Sequence, residues 1–275
     1  MHPEILKIGP ITLHTYGLML AIAFFTGLML TLAEAKRTNQ DPDLYGSLFL
    51  GLLLSAVLGS RIAFVAFFWE DFKDSPLSAL NLASGGLMYF GGVLFGLAFL
   101  VLYVKAKRAP LLKVLDTIAP GLAIGYAIAR IGCLGAGCCY GRPTEGALGI
   151  VFTDPKCLVP IYLRGVPLYP TQILELLNGL LTFGVLMLFR PHIGTPPSKR
   201  HVSGPHTPLR DQAGFQAALF LFVFGINRFL IEFLRGDVRG GFLLGMSESQ
   251  LASLIQALIG LGLFTYVRSR HRLAL

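Results

Sequence analysis

The chain has 275 residues, 54% of them hydrophobic and 14% charged, with mean hydropathy +0.66 and a formal charge of +8. A soluble globular chain carries about 25% charged residues, so this composition excludes a disordered chain, a scaffold stapled by its four cysteines and an ordinary water-soluble enzyme. The 32 glycines suit closely packed transmembrane helices, and the basic excess reads as loop topology, with no nucleic acid expected as a partner.

A helix that spans a bilayer takes about 20 mostly apolar residues. Seven stretches qualify, at roughly 13–33, 45–68, 86–104, 114–135, 171–189, 214–234 and 242–267. The pattern predicts an all-α membrane protein, one polytopic domain over 1–275. The first stretch lacks a basic leader and is long, so it reads as a retained span and not a cleaved signal peptide. Lys and Arg set the orientation. The loops after spans one, three and five plus the C-terminal tail hold 13 of them. The N-terminus and the other loops hold 7. The N-terminus is therefore expected outside and the C-terminus in the cytoplasm. The segment at about 190–212 is rich in Pro, Ser and Thr and carries Lys199, His192, His201 and His206. It is expected to be a flexible cytoplasmic linker with no metal role.

Three arginines fall inside spans: Arg61 in the second, Arg130 in the fourth and Arg228 in the sixth. An intramembrane arginine is costly and marks a functional site by default; the alternative is a buried pair that locks two helices. With the predicted orientation all three lie in the outer halves of their spans. The other spans bring Tyr16, the Gly85-Gly86 and Gly91-Gly92 pairs, Gln172 with Glu175, and Ser247 with Gln250 toward the same depth. Asp116 and Gln216 sit at inner ends, and Gln256 nearer the middle of the last span. In span six, Arg228, Glu232 and Arg235 share one helical face, so Glu232 is expected to neutralise one arginine and leave the other free. The alternative is a salt-bridged helix face. Guanidinium offers a planar fork of donors suited to phosphate. An outer-leaflet cavity lined by arginines between apolar helices fits a phospholipid head group.

The densest motif is Ala129-Arg-Ile-Gly-Cys-Leu-Gly-Ala-Gly-Cys-Cys-Tyr-Gly-Arg-Pro-Thr144. Its glycines break the end of span four, and such backbone survives at membrane depth only against water, protein or ligand. A ligand-facing loop and a plain helix cap followed by a turn are the two readings. Cys133, Cys138 and Cys139 contain no CxxC pair and have no histidine nearby in sequence, so no metal or other cofactor is expected. They read as small packing residues, with Cys157 a further candidate for pairing with Cys138 or Cys139 in an oxidising compartment.

Six segments in order resemble one family, the prolipoprotein diacylglyceryl transferases. They are Ile8-Gly-Pro-Ile-Thr-Leu-His-Thr-Tyr-Gly-Leu-Met19, Gly85-Gly-Leu-Met-Tyr-Phe-Gly-Gly92, the Arg130 to Thr144 stretch, Tyr169-Pro-Thr-Gln-Ile-Leu-Glu175, Arg228-Phe-Leu-Ile-Glu-Phe-Leu-Arg235 and Met246-Ser-Glu-Ser-Gln-Leu251. The resemblance implies transfer of the diacylglyceryl group of phosphatidylglycerol to the lipobox cysteine of a prolipoprotein signal peptide, with release of glycerol 1-phosphate. It implies a multi-pass protein of the bacterial inner membrane, with its active site toward the outer leaflet. Arg130 and Arg228 carry over as the catalytic arginines, and Tyr16, Gly91, Gly141 and Glu232 as pocket residues. Depth and chemistry add Arg61, Tyr89, Gly92, Gln172 and Arg235 as substrate-binding candidates. The sequence departs from the family pattern at Phe90, where many members have histidine, and at Cys133 and Cys138, where Asn and Glu are usual. These departures leave a catalytically altered or inactive paralogue that binds phospholipid or prolipoprotein as the alternative. A transporter would place its polar cluster near the bilayer midplane and carry an inverted repeat, and neither is visible.

Overall fold

The structure, a computed structural model, describes residues 3–8, 11–81, 85–191, 208–237, 242–243 and 245–273. Seven α-helices account for most of them: α1 (Thr15–Arg37), α2 (Pro42–Phe67), α3 (Tyr89–Ala106), α4 (Leu111–Ala136), α5 (Thr171–Leu188), α6 (Phe215–Glu232) and α7 (Glu248–Leu273). Each is long and apolar enough to cross a membrane, so the fold is all-α with seven spans. Leu50, Leu54 and Leu58 of α2 and Leu94 and Leu102 of α3 are all more than half exposed. A soluble protein would be aggregation-prone with such faces, whereas lipid solvates them. The predicted linker histidines and Lys199 lie outside the described residues.

Three short antiparallel hairpins flank the helices: β1 (Glu4–Ile8) with β2 (Ile11–His14), β3 (Ile150–Val151) with β4 (Pro167–Leu168), and β5 (Phe242–Leu243) with β6 (Met246–Ser247). The last of these corrects the predicted start of span seven from about 242 to Glu248. Gly245 turns the chain at φ 75°, and a capping box then starts α7. Ser247 Oγ accepts from the Gln250 amide at 3.1 Å, and Gln250 Oε1 accepts from the Ser247 amide at 2.9 Å.

The chain divides into two compact units. One holds residues 1–33 and 115–275. Its helix seams are lined by residues without bulk. A Cβ on Gly179 of α5 would come within 2.8 Å of the Ala127 Cβ of α4, and one on Gly225 of α6 within 2.9 Å of the Ala257 nitrogen of α7. Small residues at such crossings let backbones approach, which is how helices gain contact where no hydrophobic effect drives them together. Ala119 and Ala123 of α4 pack with Leu186 of α5, Leu219 and Phe220. Asp116 of α4 closes the start of α6. Its carboxylate accepts the Gly214 amide at 2.6 Å and the Ala217 amide at 2.8 Å, so an anion meets the positive end of that helix. Gln216 donates to the Phe189 carbonyl at 2.6 Å. The two polar residues predicted at inner helix ends are thus both engaged.

Between α4 and α5, residues 137–170 fold over a core of their own. Tyr140, Phe152, Cys157, Val159 and Leu168 are buried there together. Lys156 of this segment pairs with Glu4 of β1. That contact pulls the Glu4 carboxyl below its usual range and raises the Lys156 ammonium.

The second unit spans residues 34–114. α2 and α3 pack through glycines. A Cβ on Gly91 would collide with the Ala63 side chain and the Gly59 carbonyl, and one on Gly92 with the Ser60 hydroxyl.

Candidate active site

α4, α5 and α6 of the first unit each contribute charge at one place. Glu175 of α5 is fully buried and acts as the hub. Its Oε1 lies 3.2 Å from Arg228 Nε and 3.5 Å from an Arg235 terminal nitrogen. Its Oε2 accepts the Tyr126 hydroxyl of α4. Arg228 also pairs with Glu232 Oε2 at 2.5 Å, one helical turn along. Arg235 Nε stands 3.8 Å from that same oxygen, and Arg235 forms a two-pronged pair with Asp237 at 2.7 and 2.8 Å. That pairing raises the Arg235 guanidinium above its usual range despite its burial. Ser247, ahead of α7, donates to Glu232 Oε1 at 3.1 Å.

The expectation that Glu232 leaves one arginine of α6 free is therefore corrected. Glu175 enters from α5 and Asp237 from beyond α6, so both Arg228 and Arg235 are neutralised. The exception is Arg130. Among the described residues no carboxylate lies within ion-pair distance of its guanidinium. The group stacks 4.3 Å above the Tyr126 ring. One of its nitrogens is 3.5 Å from Cys139 Sγ and 3.9 Å from Cys133 Sγ.

The glycine-rich stretch after Arg130 is held from three sides. Gly137 turns the chain at φ 74°, and Cys139 follows at φ 58°, a left-handed conformation that a β-carbon disfavours. The buried Thr171 hydroxyl donates to the Cys139 carbonyl at 2.7 Å, and Gln172 Nε2 to the Cys138 carbonyl at 2.8 Å. Gln172 Oε1 is buried and has no hydrogen-bond partner among the described residues. Gly141 is wedged between two backbones. Its amide donates to the Tyr169 carbonyl at 3.2 Å, while its neighbours Tyr140 and Arg142 bond Gly236 and Leu234 beyond α6. A Cβ there would stand 2.9 Å from the Leu234 oxygen and 2.5 Å from the Tyr169 Cβ. Tyr16, in the first turn of α1, crosses α4 at Gly132, where a Cβ would come within 3.2 Å of the Tyr16 Cα.

Seven of the predicted site residues thus belong to the first unit: Tyr16, Arg130, Gly141, Gln172, Arg228, Glu232 and Arg235. Arg61, Tyr89, Gly91 and Gly92 belong to the second. There Arg61 is buried and donates to the carbonyls of Ser78, Ala79, Asn81, Gly85 and Gly86 at 2.5 to 3.1 Å. It ties the segment between α2 and α3 to α2, beside an apolar cavity of about 410 Å³ lined by Leu58, Ile62, Val65 and Leu80. Tyr89 is exposed at the start of α3, its ring edge-on to Phe90.

Sequence reasoning noticed Glu175 but did not place it among the site residues. The signal was an acidic residue in an apolar span, which needs a cation partner. It also expected no metal set. No disulfide joins the cysteines among the described residues, yet the turn at 137–139 brings Cys133, Cys138 and Cys139 together, their sulfurs within 4.8 Å of one another. Hydrogen bonds from Cys133 and Cys138, with Arg235 close by, lower the Cys139 thiol, while those same contacts with Cys133 and Cys139 push Cys138 up.

These features define a seven-span membrane protein with a buried guanidinium–carboxylate network, beside which Arg130 has no carboxylate within ion-pair distance among the described residues. The prolipoprotein diacylglyceryl transferase family profile matches residues 3–266, and the chain belongs to that family. Three similar proteins are named phosphatidylglycerol–prolipoprotein diacylglyceryl transferase. The one from Clostridium tetani is 28% identical, over 99% of this chain and 100% of its own. The one from Trichormus variabilis is 31% identical, over 98% and 91%. The one from Bordetella bronchiseptica is 31% identical, over 96% and 94%.

Proposed function

We propose that this protein transfers the diacylglyceryl group of phosphatidylglycerol to the cysteine thiol of a prolipoprotein signal peptide and releases glycerol 1-phosphate. The observation that carries the reading is Arg130, a guanidinium in a membrane-spanning helix with no carboxylate partner among the described residues. A partly buried cation of that kind at membrane depth calls for an anionic ligand, and the phosphate of the lipid supplies one.

The reaction follows from that placement. The substrate thiol gives up its proton, which the departing phosphate monoester carries in the overall balance, and the thiolate is the nucleophile. Its sulfur attacks the glycerol carbon that carries the phosphate ester. A C–S bond forms, the C–O bond breaks, and the electron pair leaves on the phosphate oxygen. Arg130 binds that phosphate and stabilises the growing charge, and its positive field favours the thiolate over the thiol. Arg228 stands behind it in the network with Glu175 and Glu232, as the second family arginine. Gln172, Gly141, Tyr16 and Arg235 line or shape the same region. Arg61, Tyr89, Gly91 and Gly92 are assigned to lipid binding in the other unit. The active site faces the outer leaflet of the bacterial inner membrane, with the N-terminus outside. Complementation of a transferase-depleted bacterium tests the whole reading. A reporter prolipoprotein should shift to its lipidated form, and an unshifted reporter in cells that make the protein at normal level would reject it.

A further inference from the structure

Beyond the charged network, the fold gathers a set of soft ligands that the proposed reaction does not use. Cys133 lies in the last turn of α4, and Cys138 and Cys139 follow the turn at Gly137. The three sulfurs fall within 4.8 Å of one another. We propose that Cys133, Cys138 and Cys139 form a three-thiolate site for a thiophilic d10 cation, Zn2+ or Cu+. This site stands whether or not the transferase reading does.

Geometry, rigidity and charge each support it. Metal–sulfur bonds of about 2.3 Å arranged trigonally set the sulfurs about 4.0 Å apart, so closure needs only small side-chain shifts. The backbone that presents two of the ligands is already fixed. Buried Thr171 and Gln172 hold the carbonyls of Cys139 and Cys138, and Cys139 keeps a left-handed conformation at φ 58°. Such outer support orients metal ligands. Binding releases the thiol protons to water. Three thiolates with a dication carry one net negative charge, and the Arg130 guanidinium beside Cys133 and Cys139 balances it whenever no lipid phosphate occupies that guanidinium. With a monocation the residual charge is two, and the Arg235 guanidinium near Cys139, already paired with Asp237, offsets only part of it. Thiolate ligands select cations of this class. Cys157 takes no part, because it is buried in the separate core of residues 137–170.

The test uses the full chain, purified in detergent and reduced, with Cd2+ as a spectroscopic probe. Titration should give a sulfur-to-cadmium charge-transfer absorption that saturates at one ion per chain. Cys133→Ser, Cys138→Ser and Cys139→Ser should each weaken binding at least tenfold, and Cys157→Ala should leave it unchanged. Competition by Zn2+ and by Cu+ without oxygen separates the two cations. A second measurement needs no variant: in the unaltered protein, Cd2+ should slow alkylation of Cys133, Cys138 and Cys139, read by mass spectrometry. The proposal falls if no charge-transfer band appears, if loss of any one of the three cysteines leaves the affinity for Cd2+ within tenfold of the unaltered protein, if neither cation displaces Cd2+, or if alkylation is unaffected.

Discussion

Replacing Arg130 and replacing Arg228 by alanine should have separable consequences, because the two guanidiniums have different surroundings. Arg228 sits between Glu175 and Glu232, at 3.2 and 2.5 Å, with both carboxylates nearly or fully buried. Its removal leaves two negative groups that share Arg235, which already serves Asp237. Breaking a buried pair in this way costs about 3–5 kcal/mol, and the remaining Arg235 places the loss at the lower end. At roughly 2–4 °C per kcal/mol for a chain of this size, the melting temperature in detergent should fall by roughly 6–12 °C. Glu232→Gln added to Arg228→Ala should restore part of that loss. Arg130→Ala removes a stacking contact with Tyr126 that is worth about 0.5–2 kcal/mol, so the melting temperature should move by only a few degrees. Transfer should nevertheless drop about 100-fold or more, the cost of deleting a donor aimed at developing charge. Arg130→Lys should recover little, since the ammonium lacks the planar fork. The assay is transfer rate and thermal unfolding on the same preparations. Transfer at the unaltered rate by Arg130→Ala, or an unchanged melting temperature for Arg228→Ala, would refute the division of roles.

Four further outcomes follow from the same geometry. Gly141→Ala should overlap the Tyr169 and Leu234 backbones, destabilise by about 1–3 kcal/mol and abolish the reporter shift, whereas an unaffected melting curve would mean the wedge is looser than described. Glu175→Gln keeps an acceptor for Tyr126 but removes the charge shared by Arg228 and Arg235, so it should lower the melting temperature, and Glu175→Ala should lower it further. Asp116→Ala should cost about 1–2 kcal/mol because it leaves the buried start of α6 uncapped, with transfer retained once folded, checked by denaturation and a rate assay. A reporter that works only in the cytoplasm, fused after residue 275, should be active, and a silent but well-expressed fusion would reverse the orientation.

The helices were legible because lipid imposes one simple demand, a long apolar run, and α5 starts at Thr171 as the hydropathy places it. The edges were legible only where a turn residue announced them. The hairpin ahead of α7 is itself apolar, so Phe242 and Leu243 looked like helix until Gly245 and the Ser247–Gln250 cap defined the start. In the site, Arg228, Glu232 and Arg235 could be joined because helical spacing joins them. Glu175 could not be joined to them, since it stands 53 residues before Arg228 and meets it only through the packing of α5 on α6. The thiol cluster was hidden for a conformational reason. The spacing of Cys133 and Cys138 suggests no shared ligand until the left-handed residues Gly137 and Cys139 fold the chain back.

The Asp116 contact bears on how this chain tolerates being interrupted. The start of α6 is set by two amide bonds to a carboxylate 98 residues earlier and by the Gln216 bond to Phe189. Registration of α6 against α4 and α5 is thus encoded in side chains on both sides of residues 192–207, independently of the covalent connection through them. That connection is where the gene can be divided into two co-expressed halves, or a soluble partner spliced in, with reassembly guided by an acid–amide latch.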